Sequence, residues 1–563
     1  MTRAIGFPTA HTATTAWARR REQPVFGRNG MVASAHPLVT AAGLGALARG
    51  ANAVDAAVCA GLVAAVVMPE MCGFGGDLFA VVHMPPSNHQ GRAETIAIHG
   101  SGIAPRGATL EQMREHGEDG GRLMPYRGPL AVAVPGMPDA YAALLTRFGS
   151  RSLAEMAAPA IAYAAEGYPL TASGAEAIRD NADLLRRFPS SAAVFLSGGR
   201  IPKTGEMLRQ PDLGRTLAAY ATGGADLFYR GEIARRIARF MTEAGGALSA
   251  DDLADHQTEL TVPLTTTYRG QTVHQTGLPT QGLILLEALN IVERADLRTL
   301  GIDSAAGVHL LVEAKKLAYA DRLAYAADPA FYETPLDRLL SKEWARCRFD
   351  AVRPDRAAEE TPPGGLTGGD TTSLCVADGT GMMVSLIQSV SSAFGSGVVA
   401  GDTGVVLNNR AGRGFSLEDG HPNQFAPGKK TMHTLNCYLI TALDGSPIVA
   451  GGTPGGDGQP QWNLQTIAAL IDADLDAQAA VELPRWTSWP GTDPDTLPNR
   501  YELRLEDRFE PGVIGELQTR GHIARQLGPW GAGGAAQVIC RDPDTGALVA
   551  GSDPRAEGLA LGF

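Results

Sequence analysis

A glycine-rich turn followed by two threonines is the stretch of this sequence with the clearest chemical potential. Residues 368–376 read Gly-Gly-Asp-Thr-Thr-Ser-Leu-Cys-Val, in which glycine permits a tight bend and the later residues favour a strand. The hydroxyl of Thr371 is an effective nucleophile only if a base lies beside it. Cleavage of the Asp370–Thr371 bond would create one, because a free α-amine has a pKa of about 7.7–8.0. The alternative is an ordinary strand that begins with two threonines.

The sequence on either side of this turn changes character. Residues 350–370 are rich in proline, glycine and glutamate, with little to bury, and predict a polar surface linker that ends at Thr371. Beyond it, residues 372–376 and 382–388 flank an Asp-Gly-Thr-Gly turn, which is typical of a β-hairpin. Further strands are predicted at 404–408, 435–442 and 447–451, followed by a helix over 462–483.

The first half of the chain alternates helix and strand patterns. Residues 37–68 predict two alanine-rich helices broken at 50–52, with Asn52 or Asp55 beginning the second. A strand is predicted over residues 131–134, and helices over 283–292 and 308–326. The second of these helices carries Lys315, Lys316 and Arg322, whose charges we interpret as a solvated face.

Composition narrows the range of partners. The net charge of −12, spread along 563 residues with 44% hydrophobic content, is that of a globular protein without the basic face that nucleic acid or an anionic membrane requires. The longest apolar run, residues 56–68, is too short to span a bilayer and predicts a buried helix. The first 23 residues contain no apolar core suited to a signal peptide, so we expect a cytoplasmic protein.

No cofactor or metal site is predicted. The six cysteines lie far apart, without the paired spacing of a zinc site or of a disulfide framework. The Cys-Gly-Phe-Gly-Gly-Asp turn at residues 72–77 matches neither the dinucleotide-binding nor the Walker pattern. It leads into an apolar strand at 78–82.

The order of several short motifs resembles the γ-glutamyltranspeptidase family of N-terminal-nucleophile hydrolases. The resemblance covers nearly the whole chain, and its strength comes from the shared order, since each motif alone is weak. The matching motifs are Gly-Ala-Asn-Ala-Val-Asp at 50–55, Val-Pro-Gly at 134–136, Tyr-Arg-Gly at 268–270, Tyr-Ala-Asp-Arg at 319–322, Asp-Thr-Thr at 370–372, Phe-Gly-Ser-Gly at 394–397, Leu-Asn-Asn at 407–409, Gly-Thr-Pro-Gly-Gly at 452–456 and Ser-Asp-Pro-Arg at 552–555.

The resemblance implies an α+β fold, a four-layer αββα sandwich shared by two chains of an autocleaved proenzyme. Residues 1–370 would form the large chain and residues 371–563 the small chain, which associate after cleavage between Asp370 and Thr371. Thr371 would be the nucleophile, Ser389 the second hydroxyl that bonds it, and Gly455 and Gly456 the oxyanion-hole residues. Taken without the family, a serine in a strand is more often structural, and a Pro-Gly-Gly sequence is more often a plain turn.

The residues that would bind the substrate depart from the family pattern. The Gln and Asp that grip a free α-amino group are replaced by Arg410 and by Arg413 or its neighbour, and the carboxylate-binding Arg of the large chain falls on Ser101. The family's Ser-Ser pair becomes His433-Thr434. An ammonium would meet cations here, whereas a guanidinium suits an acidic acyl group. We assign substrate binding to Arg410, Arg413, His433, Thr434, Ser391 and Asn409.

Alternatives remain open for these residues. The two arginines could instead neutralise Glu418 and Asp419, and His433 could merely pack. The pattern resembles the cephalosporin-acylase and oxamate-amidohydrolase branch, which implies a small acidic amide as substrate. A γ-glutamyl hydrolase or transferase with a rearranged pocket, and a non-catalytic binding relative, are the other hypotheses. Self-association of the two-chain unit is also left open.

Overall fold

The computed structural model describes residues 21, 23–86, 91–359, 370–490 and 500–563, without the side chains of Ser197 and Asp370. In chain order the described strands are β1 (Val25–Gly27), β2 (Gly30–Ser34), β3 (Asp77–Met84), β4 (Glu94–Gly100), β5 (Tyr168–Pro169), β6 (Met207–Leu208), β7 (Glu259–Thr261), β8 (Leu264–Tyr268), β9 (Gln271–Gln275), β10 (Asp370–Asp378), β11 (Met383–Ser391), β12 (Cys437–Thr441), β13 (Pro447–Gly452), β14 (Trp486–Trp489), β15 (Glu502–Glu506), β16 (Ile523–Leu527), β17 (Gln537–Arg541), β18 (Leu548–Ser552) and β19 (Leu559–Gly562).

The helices lie mostly between and outside these strands. In chain order they are α1 (Pro37–Ala48), α2 (Ala53–Val67), α3 (Pro69–Cys72), α4 (Leu110–Glu115), α5 (Met137–Phe148), α6 (Leu153–Glu166), α7 (Ala172–Asp180), α8 (Ala182–Arg186), α9 (Pro189–Phe195), α10 (Pro211–Tyr229), α11 (Glu232–Glu243), α12 (Ala250–Ala254), α13 (Gly282–Val292), α14 (Leu297–Leu300), α15 (Ala305–Tyr325), α16 (Leu336–Leu339), α17 (Lys342–Asp350), α18 (Arg410–Gly414), α19 (Gly458–Ile471), α20 (Ala477–Glu482) and α21 (Pro511–Thr519). None of the helices in the described residues is both long and apolar enough to cross a bilayer.

Two seven-stranded sheets form the centre of the molecule. One has the order β19-β2-β10-β11-β3-β4-β7, and the other the order β1-β18-β17-β13-β12-β9-β8. Both sheets combine strands from before and after residue 370. On β10, Cys375 and Ala377 face the core between the sheets, while Leu374 and Val376 pack on the helical side. This alternation follows from the two-residue period of a strand.

Helices cover the outer face of each sheet. The apolar helix α2 is buried along its whole length against β10 and β11. On the other sheet pack α13 and α19, with α15 packed against these two helices. The result is the four-layer αββα arrangement that the resemblance implied. The capping prediction at the start of α2 also holds, because Asn52 and Asp55 act together as a capping box.

Four local predictions differ from the structure. Residues 131–134 are not a strand, because Ala133 N and Val134 N donate to Asn408 Oδ1 and Ile103 O rather than to a neighbouring strand. Residues 404–408 make only isolated bridges, and the helix over 462–483 is interrupted between α19 and α20. The charged residues of α15, predicted to be solvated, are buried.

The predicted linker is described only in part. Residues 351–359 follow α17 without regular structure and are mostly exposed, apart from the buried Ala357. Residues 360–369 lie outside the described residues, as do residues 1–20. The chain is described again from Asp370, the first residue of β10.

Candidate active site

Thr371 lies buried at an irregularity near the start of β10. Asp370 pairs with Ser391 and Thr372 pairs with Gln388, so the register shifts across Thr371. Such bulges re-aim a side chain and recur beside active sites. The hydroxyl of Thr371, whose residue is only 1% exposed, donates to Ser389 Oγ at 3.2 Å. The structure therefore brings together the two hydroxyls that the sequence pattern paired.

Ser389 is held in place by the chain that follows it. Its Oγ accepts the backbone N–H of Ser391 at 2.7 Å. Ser391 has a φ of +86°, a conformation that costs a non-glycine residue about 1–3 kcal/mol. This turn ends β11 and fixes the Ser389 hydroxyl against Thr371.

Arg410 forms a buried ion pair with Asp77, the last residue of the glycine-rich turn at 72–77, which no sequence motif had paired with it. Its Nε donates to Asp77 Oδ2 at 3.0 Å, and Asp77 lies opposite Ser389 in the β3–β11 register. Burial raises the pKa of Asp77 to about 6, opposed by Arg410. The expectation that an ammonium would meet cations instead of a carboxylate here was therefore wrong, since the carboxylate of Asp77 lies beside Arg410.

One of the two acidic residues suggested as alternative partners of these arginines, Asp419, pairs with a different arginine. Asp419 pairs with Arg114 at an exposed site, 2.7 Å away. Arg413 is buried on α18, and its Nη1 donates to Ser391 O at 3.3 Å. Both guanidinium groups thus reach the end of β11 beside Ser389.

Asn409 fixes the approach to α18. Its Nδ2 donates to Tyr126 O at 3.1 Å and to Ser392 Oγ at 3.2 Å, and its Oδ1 accepts from Ser392 N at 3.1 Å. The preceding Asn408 makes similar bonds, including one to Arg410 N. These amides hold the helix that carries both arginines.

His433 is fully buried, with its ring edge-to-face against Phe79 at a centroid distance of 4.9 Å. Neither ring nitrogen has a hydrogen-bond partner in the described part of the chain. Burial, reinforced by the nearby Arg410, holds the pKa of His433 well below its usual range, so the ring is neutral. A buried polar group without a protein partner is costly and points to a ligand or water. Thr434 is buried beside it.

The Gly455–Gly456 turn follows β13, whose last residue, Gly452, lies against Ser373 of β10. The two φ values are +123° and +54°, which favour glycine. Gly455 O accepts from Gly458 N at 2.8 Å, and Gly456 O accepts from Gln459 N at 3.1 Å. The Gly455 carbonyl belongs to the same planar peptide group as the N–H of Gly456, so the first of these bonds also holds that N–H, as an oxyanion hole requires.

The fold also assembles one potential metal-ligand group within the described residues, which the wide sequence spacing had hidden. It consists of His309, Glu313 and His522, whose ligand atoms lie within 4.8 Å of one another. His309 Nδ1 and His522 Nε2 are 2.8 Å apart, and Lys316 Nζ lies 2.7 Å from Glu313 Oε1. Hydrogen bonds and an ion pair account for this group without a metal.

The model of the gamma-glutamyltranspeptidase family matches residues 39–563 of this chain. The chain belongs to that family. This confirms the resemblance seen in the motif order, and it identifies the protein as a hydrolase of the family.

Curated relatives match at full length. The oxamate amidohydrolase proenzyme of Klebsiella pneumoniae is 37% identical over 545 residues, covering 95% of this chain and 98% of the relative. The glutathione hydrolase-like YwrD proenzyme of Bacillus subtilis is 36% identical over 541 residues, covering 96% and 99%. Among solved structures, cephalosporin acylase from Bacillus halodurans has a TM-score of 0.89 and 35% identity over 99% of both chains.

Proposed function

We propose that this protein is an autoprocessing amidohydrolase with Thr371 as its nucleophile. In processing, Thr371 Oγ attacks the carbonyl carbon of Asp370, the acyl group moves from nitrogen to oxygen, and water hydrolyses the ester. The products are a carboxylate on Asp370 and a free amine on Thr371. The contact between Thr371 and Ser389 and the proenzyme names of the relatives support this sequence of steps.

In turnover, the Thr371 amine takes the proton from its own hydroxyl, which attacks the substrate amide. The amine product leaves with a proton, and water then hydrolyses the ester between the acyl group and Thr371. The N–H groups of the Gly455–Gly456 turn would stabilise the oxyanion of each tetrahedral intermediate.

The large and small chains should remain together after cleavage. β10 and β11 of the small chain lie between β2 and β3 of the large chain, and β12 pairs with β9. A cut before Thr371 removes one peptide bond but leaves both mixed sheets and their shared core intact.

The substrate class we propose is the amide of a small carboxylate-bearing acid. The observation that carries this is the convergence of two buried guanidinium groups, Arg410 and Arg413, on the strand end beside Ser389. A guanidinium binds a carboxylate through parallel hydrogen bonds. The neutral ring of His433, whose nitrogens have no hydrogen-bond partner among the described residues, offers a further donor. The named activity of the oxamate amidohydrolase relative agrees with this class.

One observation favours a γ-glutamyl amide as the second candidate. Asp77 places a carboxylate beside Arg410, where the ammonium of a γ-glutamyl group could bind. Glutathione hydrolase proenzymes are among the relatives, such as that of Escherichia coli at 31% identity over 96% of this chain.

The test combines processing with substrate choice. Purified wild type should show two chains by intact mass, with Thr371 at the new N-terminus, and should hydrolyse glutaryl and oxamate amides faster than γ-glutamyl-p-nitroanilide. Thr371→Ala should remain one chain and be inactive. Thr372→Ala is the matched control, because its hydroxyl contacts Met68 Sδ instead of Ser389, and it should still be processed. Turnover by Thr371→Ala would refute the nucleophile, and faster γ-glutamyl turnover would refute the substrate class.

A further inference from the structure

Two buried side chains from the first 370 residues bind the Gly455–Gly456 turn and the residue that follows it. Gln281, just before α13, donates its Nε2 to Gly456 O at 2.9 Å and also to Thr434 O. Arg322 of α15 donates Nη1 to Gln281 Oε1 at 3.0 Å and to Asp457 Oδ1 at 2.7 Å. Gln281 is fully buried and Arg322 is 1% exposed. One connected set of bonds therefore links α13 and α15 to the turn.

Contacts from the same network reach the neighbouring segment. Arg322 Nη2 contacts Met432 Sδ at 2.6 Å, and Tyr319 donates its hydroxyl to Asp457 O. Met432 and Thr434 flank His433 in sequence. The network thus contacts both the glycine turn and the segment that carries His433.

These bonds add to the two backbone bonds that the turn makes itself, from Gly458 N and Gln459 N. Glycine has no side chain to limit its backbone angles, so a glycine pair relies on such contacts to keep one conformation. An oxyanion hole is effective only when its donors are fixed before the reaction. Gln281 binds the carbonyl that follows the two glycine N–H groups, and Arg322 fixes both the amide of Gln281 and the carboxylate of Asp457.

We propose that Gln281 and Arg322 are positioning residues that hold the Gly455–Gly456 N–H groups at the place where the oxyanion forms. This inference rests on the proposed role of that turn. Without these bonds substrate binding should change less than the chemical step, since we propose that the carboxylate of the substrate binds Arg410 and Arg413 rather than Gln281 or Arg322. The chemical step should slow, because a shift of about 1 Å in a catalytic group can cost about 10²-fold in rate.

Two near-isosteric variants test the proposal in the full-length, processed protein. Gln281→Glu keeps the acceptor for Arg322 and removes the N–H donors to Gly456 and Thr434. Arg322→Lys keeps the charge opposite Asp457 but cannot bond Asp457 and Gln281 in the same geometry. For both variants we expect kcat to fall about 10- to 100-fold with KM changed less than about threefold. The substrate is the amide that wild type hydrolyses fastest.

Arg269→Lys is the matched control. Arg269 also pairs with a buried aspartate, Asp472, at 2.9 Å, but lies in the turn between β8 and β9. The Arg269→Lys variant should change the unfolding temperature while leaving kcat within twofold of wild type. The proposal is overturned if Gln281→Glu keeps wild-type kcat, or if Arg269→Lys loses as much kcat as Arg322→Lys. If Arg322→Lys does not fold, Gln281→Glu alone decides. An active Thr371→Ala would instead show that the proposed function itself is wrong.

Discussion

Replacing Gly455 by alanine directly tests the proposal that the Gly455–Gly456 turn forms the oxyanion hole. A Cβ at this position would lie 2.1 Å from Cζ3 of Trp462, whereas carbon atoms in contact lie about 3.5–4.0 Å apart. The indole of Trp462 is held on several sides. Gly458 and Gly534 pack so closely against it that a Cβ on either would lie within 2.7 Å of the ring. Its Nε1 also donates to Thr487 Oγ1 at 3.0 Å. To reach ordinary contact distance from the ring, the turn must therefore move by about 1 Å or more.

That displacement exceeds the tolerance of about 0.5 Å within which catalytic groups work. Loss of an oxyanion donor costs about 10²–10³ in kcat, and we expect a loss of this size in Gly455→Ala. A smaller cost in stability, about 1–3 kcal/mol, should come from the positive φ of +123°.

Gly445→Ala separates strain from catalysis. Gly445 has a φ of +85°, and a Cβ there would meet nothing within 4 Å. It should lose similar stability in denaturant unfolding but keep its kcat. Both variants should first be checked for cleavage by intact mass, and kcat and KM should then be measured on the processed enzyme. If Gly455→Ala retains kcat within about threefold of wild type, the turn does not supply the oxyanion hole, since a donor loss is worth about 10²–10³.

Three further predictions concern the hydroxyl pair and titratable groups. Ser389→Ala removes the bond to the nucleophile and should slow self-cleavage about 10-fold, measured as the rate of loss of the full-length chain. The pKa of Asp77 is raised to about 6, so its negative charge offsets that of Arg410 only above that pH. Because the offset weakens the attraction for an acidic amide, KM should rise between pH 5 and 7 in wild type. In Asp77→Asn, KM should stay low across this range. His36 accepts a backbone N–H at the start of α1, and burial lowers its pKa to about 4. Because the folded form disfavours protonation of His36, about 3 kcal/mol of the free energy of unfolding should be lost as the pH falls from 6.5 to 4. Urea unfolding at both pH values should show a smaller loss, by this amount, in His36→Asn.

Local patterns were sufficient where a residue's neighbours in sequence decide its structure. The capping box of α2 and the hairpin of β10 and β11 follow from short-range spacing. The apolar run of α2 predicted a buried helix, and the structure buries every residue of it. The family and its sandwich followed from motif order across the chain.

Only the tertiary structure determined which charged side chains are paired and buried. The sequence could not show that Arg410 meets Asp77, 333 positions away, or that Arg322 meets Asp457. Charged residues at helical spacing usually indicate a solvated face, but α15 is packed against several other helices, among them α13, α17 and α21. On α15 those charged side chains are buried because each has a polar partner from another segment; for Lys316 this is the carbonyl of Ala358. Without such partners their burial would be too costly. The sequence thus determined which chemical groups this protein carries, and only the packing of distant segments determined which of those groups lie together.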